Sequence, residues 1–473
     1  MKQLLCKAGL ASLLLAVVAC TVGPNYEVPK DAMINAPGAA GSLTDANGQE
    51  VTVGTVPSNW WHLYDDPVLD GLVRDALHSN TDLRVAASNL ARASFVTEEA
   101  QEAGGLSGKA SGALARAQES GEAFLLPEKV PVANEGDFGI SVSYQFDLFG
   151  TLKRGVESAG ADQQAVQAAG DVARITVVAD VVRSYVENCA AGEEQQVAQH
   201  SLDLQDESLA LTKRLRDAGR SNEPDVTRSR AQAATLRADM PRFTARKRAA
   251  LYRLAMLTGR TPNDLPPAVG ACNKTPRIAQ PIPVGDGAAL LKRRPDIRQA
   301  ERKLASATAR VGVATGSLYP TVSIGASVGA TGVAEDLGTA PTQRWNVGPM
   351  ITWVFPANGA RARVRAAEAT TSLALAQFDG VVLNALRETE SSLASYAGDL
   401  ARAAALKDAQ QLARRSADET HRFYLAGRQS SLADLDGMRT LSSADSQVAA
   451  AETQVTLDQV NLFLALGGGW ESE

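Results

Sequence analysis

The residues that could do chemistry are few and scattered. The four histidines, His62, His78, His200 and His421, include no pair at metal-ligand spacing. Gly108-Lys109-Ala110 falls short of a phosphate loop, because Ala103 stands where its first glycine should be and Ala110 where Ser or Thr should be. No GxSxG nucleophile elbow occurs. The sequence therefore predicts no enzyme, no catalytic residue, no metal and no cofactor. It also shows no energy source of its own.

The chemistry that remains is that of the cysteines. Residues 1–19 read as a signal peptide, with Lys2 and Lys7 giving a positive start and a short apolar run over 10–19. The run closes on Val17-Val18-Ala19-Cys20, the pattern of a bacterial lipobox. That chemistry cleaves before Cys20 and lipidates its thiol and new amine, a palmitate-type anchor made stable by several acyl chains. An ordinary signal peptide that happens to end in Cys is the alternative. Cys6 leaves with the signal, so Cys189 and Cys272 remain in an oxidising compartment. Either they pair, tying a long helix to a Pro-rich linker, or they stay as buried thiols; export favours the disulfide.

These residues sit in a chain of 473, with 47 Lys and Arg against 53 Asp and Glu, hence 47 − 53 = −6. Loss of Lys2 and Lys7 makes this 45 − 53 = −8. Mild acidity argues against a nucleic-acid partner. Aromatics are only 5% while alanines number about 80, which points to much close-packed helix. Beyond the first 20 residues no stretch runs 18 apolar residues without charge, so no spanning helix is expected.

Landmarks recur in the same order. Ala218-Gly219-Arg220 returns as Ala426-Gly427-Arg428, Leu257-Thr258-Gly259 as Leu466-Gly467-Gly468, and Asp82-Leu83-Arg84 as Asp296-Ile297-Arg298. A period above 200 residues implies an internal two-fold repeat of a domain, not a solenoid. The expected division is a signal peptide over 1–19, a lipid-anchored segment over 20–66, repeat 1 over 67–261, a linker in the equatorial region over 262–287, and repeat 2 over 288–473. Each repeat should open with helices (67–103 and 288–317), form a β-hairpin (about 105–149 and 319–356), and end in a long helical hairpin (about 151–258 and 360–466).

The first long helix, 151–217, contains no proline and would reach about 100 Å. Val172, Ile175, Ala179, Val182, Val186 and Cys189 follow 3-4-3-4-3 spacing, a coiled-coil seam. Such helices pack side by side, as an isolated stalk or as the wall of a tube; alanine on more than one side favours the tube.

The strands decide between these. Phe138, Ile140, Val142, Tyr144, Phe146 and Leu148 alternate with small or polar residues, which puts one apolar face toward lipid. Val322, Ile324, Ala326, Val328 and Ala330 repeat the pattern, as do Trp345, Val347, Ile351, Trp353 and Phe355 with Pro349 on their face. The remaining segment, 106–118, is Gly- and Ala-rich and alternates weakly. A soluble sandwich hairpin would need more strands than the chain supplies. Four strands per chain cannot close in lipid, but two chains give eight and three give twelve with room for water. Loops over 119–136 and 331–343 would face outside. The inference is a conduit, an α+β membrane protein.

The chain resembles the TolC-like outer-membrane efflux lipoproteins along almost its whole length. The resemblance rests on Cys20-Thr-Val-Gly-Pro-Asn-Tyr26-Glu-Val-Pro29, Trp60-Trp61-His-Leu-Tyr64-Asp-Asp66-Pro67-Val-Leu69, Arg294-Pro295-Asp296-Ile297-Arg298-Gln-Ala-Glu301, Leu318-Tyr319-Pro320 and Leu464-Ala-Leu466-Gly-Gly-Gly-Trp470. One departure is Ala103-Gly104-Gly105-Leu106-Ser107, where the family opens its first strand with Leu-Pro; this leaves the start of that strand open.

The resemblance implies a homotrimer with a 12-stranded β-barrel, a long α-helical coiled-coil barrel below it and an equatorial mixed domain. It implies a passive exit duct in the outer membrane. Its partners would be outer-membrane lipids, a periplasmic adaptor (membrane fusion) protein and an inner-membrane transporter of the resistance-nodulation-division (RND) type. A duct for protein or polysaccharide secretion shares the architecture, and a non-channel structural helical lipoprotein is the rival from another class.

The same resemblance places a periplasmic gate just after the second helix turn, at Leu432, Asp434, Asp436 and Arg439. Rings of carboxylates there would repel, hold cations or bond to arginine. The plainer alternative is acids in the first turn of a helix. Gly219 and Gly427 read as C-caps, and Arg220 and Arg428 beside them either touch the adaptor or are solvated.

Overall fold

The computed structural model describes residues 21–41, 43, 51–278 and 280–468. The signal peptide, Cys20 and Trp470 therefore lie outside the described residues. In chain order the elements are β1 (Val51–Val53), α1 (Pro67–Ser79), α2 (Thr81–Glu102), β2 (Leu106–Ala117), β3 (Ala133–Phe146), α3 (Thr151–Asp217), α4 (Glu223–Leu257), α5 (Pro267–Gly270), β4 (Ile282–Val284), α6 (Gly287–Arg293), α7 (Pro295–Gly316), β5 (Thr321–Val333), β6 (Gln343–Thr352), α8 (Asn358–Leu425) and α9 (Ser431–Ala465). The two long helices have 67 and 68 residues, and the returning helices α4 and α9 have 35 each. The residues fall into two compact units.

The first unit holds Leu90–Val166, Ala300–Phe378 and the segment ending at Pro29. Its sheet is antiparallel, in the order β2-β3-β5-β6. The register aligns the apolar positions in rows: Ile140 with Val328 and Trp345, and Val142 with Ala326 and Val347. This face is exposed in the protomer, Trp345 at 77% and Ile140 at 59%. The opposite face is polar, with Ser107 Oγ 2.7 Å from Ser143 Oγ and Arg344 Nη2 donating to Asp137 at 2.6 Å.

Several sequence boundaries are corrected. Leu106 opens β2, so the weakly alternating segment is a full strand. A side chain at Gly112 would meet the Phe138 ring at 2.9 Å; the aromatic of the next strand covers this glycine. Leu148 lies outside the apolar row of β3, because the strand ends at Phe146. Asp147 accepts from the amides of Leu152 (3.1 Å) and Lys153 (2.8 Å), so its carboxylate starts α3 and turns the chain. Trp353 and Phe355 likewise lie beyond β6, and Trp353 Nε1 donates to the carbonyl of Leu318 at 3.1 Å. The loops between strands run over 118–132 and 334–342, with Gly136 and Thr331 inside strands.

Arg154, 3% exposed, fastens the N-terminal segment in this unit. Its guanidinium donates to the carbonyls of Val22 and Gly23 (3.2 Å each), to Asn25 Oδ1 (2.7 Å) and to Glu157 (2.7 Å).

The second unit holds Lys30–Asn89, Gln167–Gln299 and the chain from Asp379. Its core joins Leu69 and Val73 of α1, Val178, Val182 and Val186 of α3, Leu254 of α4 and Phe463 of α9. Trp60 stacks on Phe463 with centroids 4.7 Å apart. The seam read from the sequence is thus mostly core, and β1 pairs in parallel with β4 beside it. Cys189 and Cys272 are joined as a disulfide. The linker is strapped to α3 around that bond. Asn188 donates to the carbonyl of Val269 (2.8 Å), and Glu193 accepts from the amide (2.9 Å) and hydroxyl (2.5 Å) of Thr275. The approach is close enough that a Cβ at Gly192 would lie 2.5 Å from the Cys272 carbonyl oxygen.

Candidate functional site

The ends of the two helical hairpins are built from glycine turns. Gly219 (φ +73°) and Gly427 (φ +68°) adopt the left-handed conformation that a Cβ disfavours. At each, the glycine amide and the next amide bond back to the helix: Gly219 to Arg216 (2.8 Å) and Arg220 to Leu215 (2.7 Å), then Gly427 to Tyr424 (2.9 Å) and Arg428 to Phe423 (2.8 Å). This pair of bonds is a Schellman motif, so both sequence-read C-caps have a physical basis. Asn222 and Ser430 then cap the returning helices. The turns are neighbours, since a Cβ at Gly427 would lie 3.8 Å from Arg220 Nη2.

The structure separates the four gate candidates. Leu432 is 53% exposed and Asp436 is exposed. Arg439 Nε donates to Gln232 Oε1 at 2.8 Å, a bond from α9 to α4 that links one hairpin to the other. Asp434 faces the other way. It is 2% exposed, and its Oδ1 lies 3.0 Å from His421 Nδ1 on α8. Its role in the protomer is to hold α9 to α8, which differs from the ring of exposed acids expected from the sequence.

Sequence reasoning missed that His421–Asp434 pair, the Arg154 clamp, and a pair of acids between α8 and α9. Asp458 of α9 is buried close to the Asp399 carboxyl of α8, and Gln454 donates to its Oδ1 at 2.9 Å. Burial first, then the Asp399 carboxyl, push Asp458 up to about 6 from 3.8. A carboxyl raised on folding stabilises the fold fully below about 3.8, and that contribution is lost as pH rises through about 6. The thermal midpoint should therefore fall between pH 5 and pH 7, and Asp458→Asn should flatten that fall. Scanning fluorimetry across this range measures both; an equally steep fall in the variant would assign the effect to other groups.

Among the described residues no three His, Cys, Asp or Glu side chains gather as a metal site, and no helix is long and apolar enough to cross a membrane. Among the described residues the arrangement offers an apolar sheet face, a polar sheet face and a neighbouring pair of hairpin tips.

Comparison with known proteins agrees in kind. The family model described as "Outer membrane efflux protein" matches residues 72–260 and 288–468. Nodulation protein T of Rhizobium leguminosarum bv. trifolii is 28% identical over 463 residues, covering 97% of this chain and 96% of that protein. The solvent efflux pump outer membrane protein SrpC of Pseudomonas putida is 28% identical over 475 residues, covering 97% of each. The solved outer-membrane channel OprN superposes with a TM-score of 0.88 at 32% identity, covering 95% of this chain and 100% of that one.

Proposed function

The chain belongs to the outer membrane efflux protein family, and from that premise we propose how this duct is assembled, gated and partnered. Three protomers pool their four-stranded sheets into a 12-stranded barrel. The observation that carries this reading is the sheet itself. It exposes Ile140, Val142, Trp345 and Val347 on one face, and β2 and β6 have no further strand partner among the described residues. Lipid covers the apolar face, and neighbouring protomers must satisfy the two edges, because open edges are not tolerated in hydrocarbon. The polar face then lines a lumen.

Helices α3, α4, α8 and α9 wall a periplasmic tunnel. The matching lengths of the two hairpins support an internal repeat, one copy on either side of the linker. Leu432 and Asp436 ring the closed end. Arg439 holds the two hairpins together there. The turns at Gly219-Arg220 and Gly427-Arg428 form the surface for a periplasmic adaptor, which connects to an inner-membrane RND-type transporter. Lipidated Cys20, immediately before the segment clamped by Arg154, adds an anchor in the outer membrane. Cargo is small molecules, including the apolar solvents for which relatives are named.

Purified protein should run as a heat-resistant trimer on gels and give discrete conductance steps in planar bilayers. Val142→Arg should remove both, since a lipid-facing arginine costs about 2–4 kcal/mol at midplane, three times over in a trimer. A monomer without conductance from the unmodified protein would overturn the reading.

A further inference from the structure

Lys109 is the charged residue of the failed phosphate-loop match Gly108-Lys109-Ala110, and neither the anchor nor the gate uses it. It lies in β2 and is exposed. The register fixes its side of the sheet. Lys109 stands opposite Ser141, Ser141 opposite Ser327, and Ser327 opposite Asn346. The rows above and below this one hold Ile140 with Val328 and Val142 with Ala326, which belong to the apolar face. Side chains alternate between faces, so Lys109 shares the polar face with a level, neutral row. The strands carry three other charges on that face, Glu135, Asp137 and Arg344. Asp137 is engaged, accepting from Arg344 Nη2 at 2.6 Å and from the Thr331 hydroxyl at 3.1 Å. It also lies four residues along β3 from Ser141, about 13 Å at 3.3 Å per residue. Glu135 lies six residues away, about 20 Å. Both exceed the Debye length of about 10 Å at 0.1 M salt, so neither cancels the lysine. Among the described residues no acid pairs with Lys109. A neighbouring copy would bring none from its adjoining strand: the free edge of β2 meets β6 in a closed ring of sheets, and the charge within Gln343–Thr352 is the base Arg344.

We propose that Lys109 sets the charge preference of the barrel, favouring anions over cations at its level. The inference rests on the 12-stranded barrel proposed above, whose threefold axis turns one lysine into a ring of three. Twelve strands about 4.8 Å apart and tilted about 40° close at a radius of about 12 Å. The axis then lies within roughly one Debye length of all three side chains at 0.1 M salt. A ring of like charge draws counter-ions and holds back ions of its own sign. Cargo bearing a carboxylate, sulfonate or phosphate group is favoured there. The ammonium is a compact point charge on a flexible stem and imposes no bidentate geometry, so the preference is for charge and not for shape.

The test records single channels of the full-length protein in planar bilayers under a KCl gradient. Near 0.1 M, Lys109→Gln should lower the chloride-to-potassium permeability ratio about two- to fourfold. Lys109→Glu should lower it further, and Lys109→Arg should keep it. Near 1 M the Debye length falls to about 3 Å, and the variants should converge. A difference that persists at 1 M would overturn the proposal, since it would reflect pore shape and not charge. Lys109→Cys separates charge from folding. One assembled preparation is treated with a positively or a negatively charged methanethiosulfonate; the positive reagent should restore the ratio and the negative one depress it. Conducting trimers whose ratio ignores the charge at position 109 would overturn the ring alone. An unmodified protein without conductance would bring down the duct reading and the ring with it.

Discussion

Cys272→Ser is expected to lower the thermal midpoint of the oxidised protein by about 4–5 °C. The disulfide to Cys189 closes a loop of sequence separation 83, for which chain entropy alone gives about 4–5 kcal/mol. At about 2.1 cal/mol/K per residue, a chain of 473 residues unfolds with roughly 1 kcal/mol/K of entropy, which converts that loss into degrees. The loss should not be total. Glu193 still accepts twice from Thr275, and Asn188 still reaches Val269, so the strap stays seated and the substitution acts mainly on the unfolded chain. Reductant should lower the parent protein by the same amount and leave the variant unmoved. Scanning fluorimetry with and without reductant checks this; a midpoint insensitive to both treatments would assign the strap's stability to its hydrogen bonds.

Arg439→Ala is expected to raise the open probability of the proposed gate about 10–100-fold in bilayers. Its bond to Gln232 joins α9 to the other hairpin, with Arg439 exposed and Gln232 half-buried. A contact of this exposed kind contributes about 0.5–1 kcal/mol. In the proposed trimer three such contacts would contribute about 1.5–3 kcal/mol, and each 1.4 kcal/mol is tenfold in an equilibrium. Asp436→Asn should act differently, lowering cation selectivity more than it changes opening, because it removes a ring of charge and no bond between elements. Asp434→Ala should leave selectivity nearly unchanged and instead loosen α9 from α8 through the loss of His421. Conductance traces with reversal potentials in a salt gradient separate the three outcomes; a closed state unaltered by Arg439→Ala would remove this residue from the gate.

How much of this was legible in the sequence varies by element. Strands β3, β5 and β6 alternate apolar and polar side chains, and the register puts those apolar positions in rows. Strand β2 was obscure because part of its surface is supplied by a neighbour: Phe138 covers Gly112 across the strands, and hydropathy along one strand cannot register a ring on the next. The end of β3 was missed for a local reason. Asp147 continues the alternation in type but spends its carboxylate on the first amides of α3. The candidate gate was half legible. Asp434 and Asp436 lie two positions apart on a helix, where side chains do not share a face, so only one of them could have pointed into the same space as Leu432. The Arg154 clamp had no signal, since two of its partners are backbone carbonyls more than 120 residues away.

The capping glycines carry one more consequence. From Gly219 to Gly259 is 259 − 219 = 40 residues, and from Gly427 to Gly467 is 467 − 427 = 40. On a helix each residue adds only about 1.5 Å of length but turns the chain by about 100°. One inserted residue in either returning helix would barely change its reach, yet everything beyond would face a quarter-turn or more away. The core stripe near Leu254 and Phe463 and the tip near Asp436 would fall out of step. What the equal spacing preserves is angular phase, and the tolerated length changes should come in steps near whole turns, such as seven or eleven residues.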